Sequence, residues 1–446
     1  MKILLIQPSG AIHRFRVGNF PKSLRYAPLT LTTLAALVPS ELNIEVEICD
    51  EGVQLVNFSS EPDLVAMTII TGTAKRGYAI ADYFRKRKIP VVIGGVHATL
   101  CPDEAQKHAD CVVAGFGEIS WPQLLRDFKN GKMRERYTDL KAPPIAKLPW
   151  PRRELLRKEG YITTSTTWAT RGCLNECDFC SIPATWGNNF YKRPVEDVVS
   201  EIASLPGKEF VLVDPSPMED PDHAKILFKE IGKLKKKWFG LSTTKIGKDP
   251  ELLKIVGESG CQGLLIGFES VNQMSIGSIG KDHNSVDFYL DLVKRMHDHG
   301  MGVQACFVFG LDDDKPDIFK RTVDFCDTAH VDLPRFSTYT PFPNTGAYRK
   351  LDEQKRIISY DWALYDVEHI VVKPLQMTVK QLEDGLLWAW NHAYRLASLA
   401  KRLLGSRTSI GYALSFNLGY RYYASRLNEM NNKVLFDDVN EGIPQI

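Results

Sequence analysis

Three cysteines lie close together in the chain, at Cys173, Cys177 and Cys180. Their C-x3-C-x2-C spacing directly follows a predicted strand, so the three sulfurs can turn toward one point. Three thiolates fall one short of the four ligands that a structural zinc ion or an ordinary iron–sulfur cluster takes. The spacing therefore favours an iron site with one coordination position open to a substrate or cofactor. A structural zinc ion would need a fourth ligand such as His223, and no histidine stands at zinc-finger spacing.

The remaining cysteines are scattered singly among mostly apolar neighbours, at Cys49, Cys101, Cys111, Cys261, Cys306 and Cys326. Free cysteine behaves as a small hydrophobic residue, so we expect these six to be packed in the interior. The odd total of nine argues against a disulfide framework.

Alternating strands and helices surround the cysteine loop and must position it. Strands are predicted at residues 162–169, 210–213, 239–243, 263–268, 303–310 and 336–340. Helical patterns lie between them at residues 195–204, 223–235, 249–259, 286–297 and 315–329. Six β/α repeats predict an open, partial TIM-type (β/α)6 barrel rather than a full eight-stranded one.

The N-terminal segment alternates in the same way, with short apolar strands at residues 2–6, 46–49, 64–70, 90–93 and 111–114. This pattern predicts a doubly wound parallel sheet of the Rossmann type, which binds ligands at the carboxyl ends of its strands. No G-x-G-x-x-G follows the first strand, so the dinucleotide fingerprint is missing. A proline-rich linker at residues 141–153 divides the chain into domains at residues 1–145, 146–350 and 351–446.

The C-terminal region is predicted to be helical and is rich in aromatic residues. Residues 382–404 are rich in leucine, tryptophan and alanine, and a second aromatic segment follows at Tyr412, Phe416, Tyr420, Tyr422 and Tyr423. An ordinary helical core explains this composition. Two further interpretations are a lid over a bulky apolar substrate and a surface helix that contacts a membrane peripherally.

Composition narrows the function classes. The 446 residues are 44% hydrophobic and 25% charged, which excludes wholesale disorder. A net charge of +2 is small for a nucleic-acid binder, so no nucleic-acid partner is expected. No apolar run reaches the roughly 20 residues of a membrane span, and the N-terminus does not resemble a signal peptide. We therefore expect a cytoplasmic protein.

The cysteine loop resembles a known family. Cys173-x3-Cys177-x-Phe179-Cys180 matches the C-x3-C-x-aromatic-C loop of the radical S-adenosylmethionine (SAM) superfamily, which also follows the first barrel strand. The resemblance implies a [4Fe–4S] cluster on the three cysteines that chelates SAM. One-electron cleavage of SAM then gives a 5′-deoxyadenosyl radical, which abstracts hydrogen from an unreactive C–H bond.

Further segments resemble the SAM-binding elements of that superfamily. Phe179 corresponds to the aromatic residue that flanks the adenine. Glu269 and Ser270 close the run Gly-Phe-Glu-Ser at residues 267–270, whose glutamate hydrogen-bonds SAM. Gly310 lies where the superfamily has the strand G-x-I-x-G-x-x-E that lines the adenine site, although the first glycine is absent here and Asp313 replaces the terminal glutamate. Near the barrel's end, Asn344 replaces the glycine of a T-P-x-P-G-T turn, and asparagine tolerates the left-handed backbone that such a turn needs.

The N-terminal segment resembles the B12-binding domain of class B radical SAM proteins. The resemblance implies cobalamin binding by loop residues of the sheet, namely Pro28, Gly94, Gly95, Gly115, Gly117 and Glu118. The chain lacks the D-x-H-x-x-G motif, so the lower face of the cobalt is expected to lack a histidine ligand. His97 and His108 are expected to be ordinary surface or core histidines.

Together these resemblances imply a cobalamin-dependent radical SAM C-methyltransferase that acts on an unactivated carbon. Non-methylating radical chemistry such as ring formation, rearrangement or C–C bond formation, with or without cobalamin, is the alternative. A zinc- or iron–sulfur-stabilised scaffold or electron carrier is the non-enzyme alternative. The expected partners are a low-potential electron donor of the flavodoxin or ferredoxin type and an apolar or planar small-molecule or lipid substrate.

Overall fold

A computed structural model describes residues 1–11, 26–139, 145–405 and 410–445. The start of the predicted linker, up to residue 144, lies outside the described residues. None of the helices in the described part of the chain has the length and apolarity that crossing a bilayer requires.

The N-terminal unit is built on a parallel sheet in the order β2-β1-β3-β4-β5-β6, with β1 Lys2–Gln7, β2 Glu45–Asp50, β3 Leu64–Thr68, β4 Val91–Gly94, β5 Cys111–Gly115 and β6 Arg136–Asp139. This order confirms the predicted doubly wound sheet. The polar edge strand β6 was not predicted, because its sequence Arg-Tyr-Thr-Asp lacks an apolar run.

Helices cover both faces of this sheet: α1 Thr30–Ala36, α2 Ala74–Lys86, α3 Val96–Leu100, α4 Pro102–Gln106 and α5 Gly117–Lys129. Successive residues of β1 point to opposite faces, so Leu5 packs with α1 and α5 while Leu4 packs with α2. Burial on both faces explains why the inner strands are almost uniformly apolar.

The residues that follow the predicted boundary at 145 pack beneath the N-terminal sheet. Leu156 and Tyr161 belong to its hydrophobic core, and the Tyr161 hydroxyl donates to Asp50 at 2.9 Å. A Cβ added at Gly160 would lie 2.5 Å from Val53, so only glycine allows this close approach.

The second unit is an open barrel whose parallel sheet has the order β14-β13-β12-β11-β10-β7, with β7 Thr166–Thr167, β10 Glu209–Leu212, β11 Lys237–Ser242, β12 Cys261–Glu269, β13 Gly302–Phe309 and β14 Leu333–Thr338. Two further strands, β8 Thr170–Gly172 and β9 Phe190–Lys192, form a separate antiparallel pair. The six parallel strands confirm the predicted partial barrel.

The first barrel strand is shorter than its predicted range of 162–169. Buried Asp214 accepts hydrogen bonds from the backbone N–H groups of Ala169 and Thr170 and from the Thr170 hydroxyl. Because of these hydrogen bonds, Ala169 and Thr170 do not pair with the barrel sheet, and the chain continues into β8, which leads to the cysteine loop.

The barrel helices are α6 Ser181–Trp186, α7 Val195–Ser204, α8 Pro221–Lys233, α9 Pro250–Glu258, α10 Gln273–Ser278, α11 Tyr289–Asp298, α12 Ile318–Thr328 and α13 Gly346–Glu353. Short 3-10 turns join several elements, at Ser40–Leu42, Thr71–Thr73, Ile145–Lys147, Arg153–Leu155, Lys158–Gly160, Thr244–Lys248, Val286–Phe288 and Trp362–Leu364.

The C-terminal region is helical, as predicted, with α14 Val379–Ala393, α15 Leu396–Gly405 and α16 Ile410–Leu435. The predicted helix at 382–404 is interrupted between α14 and α15. Trp390 of α14 is fully buried and packs edge-on against Phe336 of β14, with the ring centroids 5.5 Å apart.

Candidate functional site

The cysteine loop connects β8 to α6 and is fixed at its centre by backbone hydrogen bonds. The Asp178 N–H donates to Ile279 at the end of α10, and the Asp178 carbonyl accepts from Ala347 of α13. Gly346 allows this contact, because an added Cβ there would lie 3.3 Å from the Asp178 Cβ. The loop is therefore clamped between two barrel elements.

The three thiols are partly buried and lie close enough to influence one another electrostatically. Burial raises the pKa of Cys177 to about 12 and also raises the pKa of Cys180. A bound cation reverses this preference, because coordinated thiols are deprotonated. In the described part of the chain no three Cys, His, Asp or Glu side chains are grouped to hold one metal ion, whereas in a [4Fe–4S] cluster each cysteine binds a different iron. Three desolvated sulfurs on one loop fit such a cluster.

A network of polar side chains, which the sequence did not reveal, contacts the Cys173 sulfur. The Asn175 amide nitrogen lies 3.1 Å from the Cys173 sulfur and 2.9 Å from a carboxylate oxygen of Glu219. Lys245 pairs with the other Glu219 oxygen at 3.0 Å. Glu219 and Lys245 thus hold Asn175 in a position where its amide can donate an N–H to the Cys173 sulfur.

Glu269, the predicted SAM ligand, ends β12 and forms a buried ion pair with Lys281. Its backbone has a left-handed φ of 64°, and the pairing of β12 with β13 is irregular at this point. A Cβ added at Gly267 would lie 2.3 Å from a Glu269 oxygen and 2.6 Å from the Lys281 nitrogen. The ion pair therefore lies directly over Gly267. Ser270 is buried beside it, with its hydroxyl accepting from the backbone of Asn272.

The ion pair also faces the cysteine loop. Burial opposes the charge of Lys281, but Glu269, Cys177 and Cys180 outweigh that effect and raise the lysine pKa. The structure thus brings together the predicted cluster ligands and the predicted SAM glutamate, and it adds Lys281, for which the sequence offers no motif.

Phe179 and Gly310 lie on the same side of the barrel. Phe179 packs against the cluster of buried residues that includes Leu311 and Tyr339. Gly310 follows β13 with a φ of 90°, and an added Cβ would lie 2.7 Å from Leu382 of α14.

The predicted cobalamin residues lie along the carboxyl edge of the N-terminal sheet, next to the barrel. Pro28 precedes α1, Gly94 and Gly95 join β4 to α3, and Gly115, Gly117 and Glu118 join β5 to α5. Helix α3 contacts α6, which follows the cysteine loop. Glu118 pairs with Arg171 of β8, whose guanidinium lies 4.7 Å from the centre of the Trp168 ring. This edge of the sheet is therefore docked on the cluster side of the barrel.

His97 and His108 each have a side-chain partner in this structure. His97 is buried between Thr71 and Glu104, and partly exposed His108 lies 2.9 Å from an Asp82 oxygen.

A cavity of about 930 Å³ lies between the N-terminal unit and the concave face of the barrel. Gly10 and Gly72, which follow β1 and β3, line it from the N-terminal side. Strand order reverses between β1 and β3, and doubly wound sheets bind their ligands at such a point. The sequence prediction missed Gly10 and Gly72, because neither stands in a recognisable motif.

Barrel strands and α16 form much of the remaining cavity wall, together with Trp390 of α14 and the segment that carries Asp366 and Glu368. Phe239, Leu241 and Leu265 line it from the barrel strands, and Tyr412 and Phe416 line it from α16. Part of the second aromatic segment therefore lies against this cavity.

One row of paired residues across the barrel sheet connects the cavity with the side of the barrel that carries the predicted SAM ligand Glu269, which we call the SAM side. Gly267, Cys306 and Arg335 are neighbours across β12, β13 and β14. Gly267 lies under the Glu269–Lys281 pair, and Arg335 lines the cavity. The cavity therefore extends to the same row of residues across the sheet as Gly267, which lies beneath the predicted SAM ligand Glu269.

Comparison with known proteins agrees with this geometry. The profile of the Radical SAM superfamily matches residues 169–326, and the profile of the B12 binding domain matches residues 25–125. The chain is 30% identical to bacteriochlorophyllide d C-12(1)-methyltransferase of Chlorobaculum tepidum over 416 residues, which cover 91% of this chain and 90% of that protein. The chain belongs to the cobalamin-dependent radical SAM methyltransferase family. The predicted family, enzyme class and cofactor set of [4Fe–4S] cluster, SAM and cobalamin are confirmed.

One further relative of this radical SAM enzyme and one solved structure extend the comparison. Bacteriochlorophyllide d C-8(2)-methyltransferase of the same organism is 28% identical and aligns over 86% of this chain and 90% of its own length. The radical SAM methyltransferase TsrM from Kitasatospora setae, solved with tryptophan and a SAM analog, has a similar fold with a TM-score of 0.69 at 16% identity, covering 97% of this chain and 99% of that one.

Proposed function

We propose that this radical SAM enzyme transfers a methyl group to an unactivated carbon of a planar, largely apolar substrate of the tetrapyrrole class. The observation that carries the proposal is the 930 Å³ cavity between the β1–β3 edge and the barrel interior. It is at the upper end of the usual size of ligand pockets, and its aromatic lining suits a flat ring system.

The chain's residues divide into groups around the cofactors. Cys173, Cys177 and Cys180 would hold the cluster, and the backbone clamp sets the geometry of their loop. Phe179, Glu269, Ser270 and Gly310 would contact SAM. Bound together, the cofactors supply a strong hydrogen-atom abstractor and a methyl donor.

We infer that the corrin ring lies against the β1–β3 edge, where Gly10 and Gly72 line the cavity. Its remaining contacts would come from the loops that carry Pro28, Gly94, Gly95, Gly115, Gly117 and Glu118. Gly95 has a second, structural requirement, because an added Cβ would lie 2.7 Å from the backbone oxygen of Ile69.

The C-terminal helices would cover the substrate and exclude water. Tyr412 and Phe416 of α16 pack edge-on against Phe239, with ring centroids 5.6 and 6.3 Å apart. Flat rings stack favourably on such aromatic walls. A closed site of this kind protects a reactive radical from side reactions.

The tetrapyrrole class is supported by the relatives at 30% and 28% identity, both of which are named for methylation of bacteriochlorophyllide d. A hopanoid C-2 methylase of Rhodopseudomonas palustris is 22% identical, so a polycyclic lipid is the competing substrate class. The aromatic lining and the charged groups of the cavity favour the tetrapyrrole.

The test is anaerobic turnover of the reconstituted enzyme with methyl-deuterated SAM and a chlorin or bacteriochlorin pigment. Reducing equivalents would come from a low-potential flavodoxin or ferredoxin, which we infer to be the cytoplasmic partner. The proposal predicts a deuterated methyl group on a product carbon together with 5′-deoxyadenosine. Formation of 5′-deoxyadenosine with an altered but unlabelled product would favour non-methylating radical chemistry instead.

A further inference from the structure

Arg335 of β14 presents a cation to the cavity. Its side chain lies on the concave face of the barrel, and within the described residues it forms no hydrogen bond and no ion pair. A guanidinium carries five N–H donors in a fixed fork. Leaving these donors unpaired in a largely buried position is costly, so the site suits an incoming acceptor.

Glu368 lies on the same cavity and is 6% exposed. Its Oε2 atom is buried and has no hydrogen-bond partner in the described part of the chain. Burial raises the pKa of Glu368 to about 8, although the charge of Arg335 acts in the opposite direction. Burial thus favours the protonated carboxyl group, which can donate its proton in a hydrogen bond.

Some of the other polar groups on this wall of the cavity already have hydrogen-bond or ion-pair partners, and others do not. The Gln304 amide donates to the Tyr420 hydroxyl at 2.8 Å, and Asp366 pairs with His369 at 2.9 Å. Trp390 also lines the cavity, and its Nε1–H is buried without a partner among the described residues. Tyr423 also lines the cavity and interacts with the Glu368 carboxyl group. The uncommitted donors on this wall are therefore Arg335 and the Trp390 N–H, which together suit an anionic acceptor.

We propose that Arg335 and Glu368 form a subsite that binds a carboxylate carried by the substrate. This inference rests on the proposed tetrapyrrole class and adds that the substrate has a free carboxylate side arm. The guanidinium fork matches both oxygens of a carboxylate, and the protonated Glu368 donates to one of them.

The subsite has a consequence for where the substrate reacts. Arg335 is the cross-strand neighbour of Cys306, which in turn neighbours Gly267 beneath the Glu269–Lys281 pair. Anchoring the carboxylate at Arg335 therefore fixes which edge of a flat ring faces the SAM side of the barrel.

The test compares pheophorbide a, a chlorin with one free carboxylate, with its methyl ester. Dissociation constants are measured anaerobically by absorbance on protein that carries its cluster and cobalamin. The unaltered protein should bind the acid about 10- to 100-fold more tightly than the ester, since hydrogen bonds to charged groups contribute about 1.5–3 kcal/mol. Arg335→Met should reduce this ratio to about one, and Glu368→Met, which removes the second donor, should reduce it in part.

Three controls separate the subsite from other causes. Arg335→Lys keeps the charge without the fork and should show an intermediate ratio. Lys208→Met removes an exposed cation of the cavity lining and should leave the ratio unchanged. Hydroxocobalamin affinity should be the same in Arg335→Met as in the unaltered protein.

Each other outcome contradicts the inference in a distinguishable way. Equal binding of acid and ester by the unaltered protein overturns the carboxylate subsite while leaving the tetrapyrrole class intact. Loss of cobalamin from Arg335→Met assigns the cation to the phosphodiester of the corrinoid and overturns the substrate role. Failure of both pigments to bind contradicts the tetrapyrrole class and the subsite with it.

Discussion

Replacing Lys281 with methionine should destabilise the protein strongly, because it leaves the Glu269 carboxylate buried without a partner. The two side chains are each 9% exposed and form an ion pair over Gly267. Methionine keeps the length and apolar stem of lysine, so the change removes the charge with little change in packing.

The magnitude follows from this burial. Breaking a buried ion pair by removing one partner costs about 3–5 kcal/mol, because the remaining charge has lost both water and its counter-ion. Lys233 offers a matched control, since its side chain is 69% exposed and pairs with Glu230 on the surface. Exposed pairs contribute about 0–1 kcal/mol, so Lys233→Met should have little effect.

The assay is anaerobic urea unfolding of the cluster-loaded protein, followed by tryptophan fluorescence. We expect Lys281→Met to lower the free energy of unfolding by about 3–5 kcal/mol. The double variant Glu269→Gln/Lys281→Met should recover much of that loss, because it removes the uncompensated charge. If Lys281→Met lies within about 1 kcal/mol of the unaltered protein, the ion pair is not the buried structural unit that we describe.

Three further predictions concern neighbouring groups. Gly267→Ala should displace the ion pair and weaken SAM binding at unchanged iron content, whereas Gly277→Ala, which meets no atom within 4 Å, should bind SAM normally in an equilibrium titration. Asn175→Ala should lower the cluster potential in an EPR redox titration by about 40 mV, if the lost N–H contributes about 1 kcal/mol to the reduced state; an unchanged potential would count against the hydrogen bond to Cys173. Glu368→Gln should flatten the pH dependence of stability between about pH 4.5 and 8. In the unaltered protein the folded state keeps the Glu368 proton that the unfolded chain releases in that range, so the free energy of unfolding falls with rising pH by up to about 1.4 kcal/mol per pH unit. If urea-unfolding curves show the same dependence on pH for Glu368→Gln, this prediction is wrong.

The site could be predicted from local sequence where a single short segment contains both the reactive residues and the signals that position them. The cysteine loop is contiguous and follows the first barrel strand, and its clamp relies on backbone bonds that tolerate many side chains. Asn344 adopts a left-handed φ of 61°, as expected for a residue in place of glycine, and Thr345 then caps α13 by accepting from Tyr348.

Sequence was insufficient where partners come from distant segments. Lys281 pairs with Glu269 across a turn and a short helix, and no motif marks it. Strand β14 begins at Leu333 rather than at the predicted residue 336, because Pro334 and Arg335 do not resemble an apolar run. An edge strand tolerates proline, and the alternating exposure of this strand places Arg335 on the concave face.

The most direct test of the account is the position of cobalt and iron in crystals of the anaerobically prepared, cobalamin-loaded protein. Anomalous scattering at the two absorption edges locates each metal independently. We expect iron beside Cys173, Cys177 and Cys180, and cobalt in the cavity beside Gly10 and Gly72. Cobalt bound outside this cavity, or its absence from protein with an intact cluster, would contradict the account.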